Sequence, residues 1–117
     1  MKKLFIVLGL ACLVACAKNA SKTTSADNSA PSQADVDRVQ AKYAGYTLAE
    51  LTEGKALYEK NCVNCHKLYA PKSQSEAGWR KEVPPMVKKA NKKAGSEVIT
   101  AASQEKILRY VVTMATK

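Results

Sequence analysis

Histidine occurs once in this chain of 117 residues, and phenylalanine and tryptophan once each. A structural zinc site draws four ligands, most often from repeated cysteine or histidine pairs. With His66 alone, and with C-x-x-C found only at Cys62 and Cys65, such a set would need carboxylates to complete it. A β-rich periodic run is missing too, which removes the strand–helix–strand setting of a thioredoxin-like dithiol. No paired carboxylates, nucleophile–base dyad or glycine-rich phosphate loop stands out, so the residues offer no independent catalytic apparatus. Beyond the N-terminal stretch no apolar run approaches the length that crosses a bilayer. Nor does any segment repeat.

What is present begins at the N-terminus. Lys2 and Lys3 precede the apolar run Leu4 to Val14, the pattern of a secretory signal and too short for a transmembrane helix. The run closes in Leu13-Val14-Ala15-Cys16, which resembles the bacterial lipobox. That resemblance implies removal of residues 1–15, acylation of Cys16, and an exported, periplasm-facing chain held to the membrane by lipid. Ala17 after the cysteine, in place of aspartate, leans toward the outer membrane where the host has one. Cys12 then leaves with the leader, so Cys62 and Cys65 are the only thiols left to the mature domain. Residues 17–35 are rich in Ser, Thr, Ala, Asn and Asp and hold no large apolar side chain, so burial cannot offset their ordering entropy. We therefore expect a lipidated flexible tether over 16–43, with a weak helical pattern at 36–43, and one domain over 44–117.

Within that domain, EKNCVNCHKLY (residues 59–69) sets Cys62, Cys65 and His66 in the spacing C-x-x-C-H. Such a cluster can hold zinc, exchange disulfides or anchor a haem covalently. In an exported chain that lacks the settings of the first two, it reads as c-type haem attachment. Two residues between the thiols suit the two haem vinyl groups, and the adjacent histidine is placed to ligate the iron. From about Thr52 to Met114 the chain resembles the small monohaem class I cytochromes c. TEGKALYEKNC is similar to the N-terminal helix of that family through Gly54 and Tyr58, and EKILRYVVTMA to its C-terminal helix through Ile107 and Tyr110. The resemblance implies a compact all-α domain around one covalent haem c, in which those two helices cross at the glycine. The helical spacing of Ile107, Tyr110, Val111 and Met114 agrees with a buried face. Ser103, followed by Gln104 and Glu105, is the expected N-cap of the last helix.

In the middle segment Trp79, Val83, Val87 and Ala90 share one helical face. Pro84 and Pro85 are expected to divide it into a helix ending near Val83 and another starting at the prolines. The arrangement W-x-x-x-V-x-x-M resembles short bacterial cytochromes whose distal iron ligand is that methionine, here Met86. Met114 is an alternative ligand, although its place on the core face of the last helix suits packing. An iron left open, or bound by water or lysine, is the other. By the same resemblance the carbonyl of Pro71 is the expected acceptor for the His66 ring. Leu68 is expected against the porphyrin, and Trp79 in the core or with its N–H on a propionate.

Histidine–methionine ligation implies electron transfer, with the cofactor carrying the chemistry and the protein itself not an enzyme. The net charge of +9 falls to +7 without Lys2 and Lys3, and the tether to Ala41 is neutral. The excess sits on the domain, notably at Arg80, Lys81, Lys88, Lys89, Lys92 and Lys93. Such a face is either simply solvated or steers toward an acidic redox partner or anionic lipid. Nucleic acid does not fit an exported protein. The expected function is a membrane-tethered carrier of single electrons between redox partners. Its rivals are an electron-accepting haem subunit of a larger dehydrogenase or reductase, and a ligand-binding haem with an open iron position.

Overall fold

Each helix starts at a residue whose side chain can stand in for a missing backbone partner. A computed structural model describes residues 30–116. Ser32 with Asp35 starts α1 (Gln33–Arg38), and Thr47 with Glu50 starts α2 (Leu48–Cys62). Ser75 starts α3 (Glu76–Ala94), and Thr100 starts α4 (Ala101–Ala115). A short 3₁₀ turn at Pro71–Ser73 lies between α2 and α3. No strand occurs among the described residues, so the fold is all-α, as the sequence led us to expect. The last helix begins earlier than expected, because the Thr100 hydroxyl accepts from the Ser103 N–H at 3.2 Å. Ser103 is the capped amide, not the cap.

The α2–α4 crossing organises the core. Gly54 is buried at it, and a β-carbon there would stand 2.4 Å from the Lys106 carbonyl oxygen and 2.9 Å from Cβ of Tyr110. Only a residue without a side chain permits that approach. Leu51 and Tyr58 from α2 meet Ile107, Tyr110, Val111 and Met114 from α4, and Trp79, Val83 and Val87 of α3 close the core. The Tyr58 ring lies 6.1 Å from that of Trp79, edge to face, and 5.8 Å from that of Tyr110.

Two further expectations are corrected. First, α3 runs unbroken through Pro84 and Pro85. The prolines remove two backbone donors, but Arg80 and Lys81, whose carbonyls lose them, are exposed to water. Meanwhile the stripe Trp79, Val83 and Val87 stays buried in helical register on both sides, and this packing outweighs the local preference. Second, the stretch assigned to the tether is packed from α1 onward. Val36 is 0% exposed and Val39 is buried. Arg38 reaches Asp35 and the backbone carbonyl of Thr113, both at 3.1 Å. Lys42 pairs with Glu76, and the Tyr43 ring packs on the core beneath the Arg109 guanidinium, so buried valines and long-range polar contacts together order a segment of mostly polar composition. The leader, Cys16 and the tether up to residue 29 lie outside the described residues. Among those described, no helix is long and apolar enough to cross a membrane.

Candidate functional site

The C-x-x-C-H residues sit where α2 runs out. Asn61 donates to the Leu57 carbonyl at 2.8 Å, and Asn64 donates to the carbonyls of Lys60 and Asn61 at 3.1 and 3.2 Å. The Asn64 bonds serve carbonyls at the end of α2, and the chain passes between the two thiols in a turn that continues from the helix. Lys93 from α3 completes the turn by donating to the Asn64 carbonyl at 2.5 Å. Cys62 is half-buried and Cys65 exposed, and neither forms a disulfide. Burial, reinforced by the neighbouring Cys65, pushes the Cys62 thiol up to about 11. A dithiol that exchanges disulfides needs the opposite, a thiol lowered toward neutral pH.

His66 follows on the exposed turn. Its Nδ1 lies 2.7 Å from the carbonyl oxygen of its neighbour Lys67, and its ring stacks 4.9 Å from that of Tyr69. With the proton on Nδ1 and shared with that carbonyl, Nε2 presents a lone pair suited to a metal ion. The expected acceptor, the Pro71 carbonyl, instead receives the indole N–H of Trp79 at 2.8 Å. Trp79 is fully buried, so its N–H had to find an acceptor within the fold, and Pro71 supplies it. The Tyr58 hydroxyl likewise donates to the Tyr69 carbonyl at 2.8 Å. The loop after His66 is thus held at two points by core aromatics.

A small cavity of about 110 Å³ opens at this turn. Cys62, Cys65 and His66 line it together with Met86, Val87 and Ile99. It adjoins a wider, open cavity of about 600 Å³ that shares Asn61, Cys65 and Ala90 and adds Lys60, Lys93 and Val98. Four of the sequence-predicted site residues therefore come together. Met114 does not join them, being 4% exposed within the α2–α4 core. Leu68 packs against the core outside the cavity lining. The sequence reading missed Asn61, Lys89 and Ile99 as lining residues. Lys89 and Lys93 follow Met86 at helical spacing and were legible in that sense, whereas Ile99 comes from an irregular loop and carries no periodic signal.

The donor set fits a c-type haem: two thiols at the required spacing, one imidazole nitrogen, one thioether and apolar walls at a single crevice. Among the described residues, no three His, Cys, Asp or Glu side chains are placed to hold an ion. Comparison with protein-family models, curated proteins and solved structures finds no match to this chain.

Proposed function

We propose that this domain would hold one haem c, covalently through Cys62 and Cys65 and with His66 and Met86 as its iron ligands, and would use it to transfer single electrons between redox partners. The observation that carries the reading is the placement of Met86. It lies on a different helix from the motif, yet lines the same cavity as Cys62, Cys65 and His66. The bound haem would supply a one-electron couple, with thioether ligation favouring its ferrous state. The chain's own residues hold and desolvate it. The Lys67 carbonyl orients the imidazole, and Val87, Ala90 and Ile99 keep water from the methionine side. Lys60 and Lys93 beside the crevice, with the other cations of α3, favour a partner with an acidic docking face. Attachment of the domain to a membrane through Cys16 rests on the lipobox pattern.

Absorption spectroscopy tests the assignment. The oxidised protein is expected to show the weak far-red thioether-to-iron charge-transfer band. Met86→Ala removes that band and opens the iron to carbon monoxide. Met114→Ala keeps the band and costs only core packing, roughly 2–5 kcal/mol. The reverse pattern reassigns the ligand. A wild-type protein that lacks the band and binds carbon monoxide readily favours the ligand-binding haem over the electron carrier.

A further inference from the structure

The wall of the crevice on the α3–α4 side is tied down by one side chain. After α3 the chain turns at Gly95, in the left-handed region with φ of 70°, and returns to the crevice by residue 99. There the Asn91 side-chain oxygen accepts the Ile99 N–H, and the Asn91 amide nitrogen donates to the Ile99 carbonyl, each at 2.9 Å. Otherwise the returning segment has local backbone bonds, from Gly95 to Lys92 and from Val98 to Ser96. Two consecutive residues of this segment divide the space. Ile99, 2% exposed, lines the small cavity with Met86, and Val98, half-exposed, lines the wide one.

We propose that Asn91 is a positioning residue whose amide latches Ile99 over the Met86 side of the crevice and so limits access to that side from the wide cavity. The proposal rests on the haem reading above. A side-chain amide that pairs with both backbone groups of one residue fixes its position more firmly than either bond alone, and a part-buried pair is exposed to little competition from water. With the latch gone, only apolar packing holds Ile99 in the wall, so it leaves more often, and each time the two cavities merge and water or an added ligand reaches the methionine side. Hydration of that side stabilises the more highly charged ferric iron and lowers the potential.

The test compares haem-loaded wild type, Asn91→Ala and Lys92→Ala, the last an exposed neighbour on the outward face. Three quantities are read: the rate at which imidazole binds the ferric protein, the midpoint potential, and hydrogen exchange of the Ile99 amide. In Asn91→Ala we expect imidazole to bind about tenfold faster or more, the size of change that two ordinary hydrogen bonds represent. The potential falls and the Ile99 amide loses protection, while Lys92→Ala leaves the imidazole rate and the Ile99 protection as in wild type. Asn91→Asp, which keeps the acceptor for the Ile99 N–H, restores part of the protection. Unchanged protection at Ile99 overturns the latch, and an unchanged imidazole rate and potential overturn its role in access. If wild type binds imidazole as fast as Met86→Ala does, the methionine assignment is what fails, and the Ile99 exchange rates alone then decide for or against the latch.

Discussion

Gly54 and Gly78 separate two kinds of small residue. At Gly54 an added β-carbon meets a backbone carbonyl at 2.4 Å, and neither helix can yield without moving the other. Gly54→Ala should therefore destabilise the haem-loaded protein by roughly 1–3 kcal/mol, read from chemical denaturation. At Gly78 the nearest atom is the end of the Gln74 side chain at 2.7 Å, which can swing aside. Gly78→Ala replaces a glycine in the first turn of α3 and should be neutral or stabilising by up to about 1 kcal/mol. Equal losses at both positions would remove the close approach as the explanation. Both glycines are plain in the sequence, but only Gly54 lies in a pattern that announces a crossing. The site residues were legible for a related reason: Cys62, Cys65 and His66 are bound together by spacing along the chain, which needs no fold to be read.

Among the elements, α3 differs most from its sequence. Proline within a helix interior costs about 3 kcal/mol, and here two occur in succession without dividing the helix. If α3 is continuous because Trp79, Val83 and Val87 hold it, replacing Pro84 by alanine returns a backbone donor to an already helical site. Pro84→Ala is expected to raise the unfolding free energy by roughly 1–2 kcal/mol, part of the helix gain being offset by the freer unfolded chain. A large loss would mean that the prolines themselves shape the segment. Proline rules describe the residue and its immediate neighbours, while the stripe that overrides them draws its energy from α2 and α4, which no local window contains. The same gap hid α1. Val36 and Val39 are too few to mark a helix by periodicity, and their burial depends on where Thr113 and the end of α4 lie. The C-x-x-C-H motif needed no such distant information, and neither did the buried face of α4.

At the scale of the whole molecule the core is modest, with the four helices of the described residues packed around a few aromatic and aliphatic side chains. A domain of this size buries too little surface to be secure by itself. Protein prepared without haem is expected to be largely unfolded by circular dichroism at room temperature. A sharp cooperative thermal transition in haem-free protein would contradict that and would place the stability in the polypeptide alone.

The Gly54 contact also sets an order of events. Its partners, Lys106 and Tyr110, come more than fifty residues later in the chain. A chain made N-terminus first presents Cys62, Cys65 and His66 before the helix that closes over Gly54 exists. Trp79, which holds Pro71, and Asn91, which holds Ile99, also arrive after the motif. Until residue 110 is present, the two thiols stand on a chain that cannot make the α2–α4 crossing. The crossing at Gly54 is thus a late event in chain order and the motif an early one, the two separated by the whole of α3.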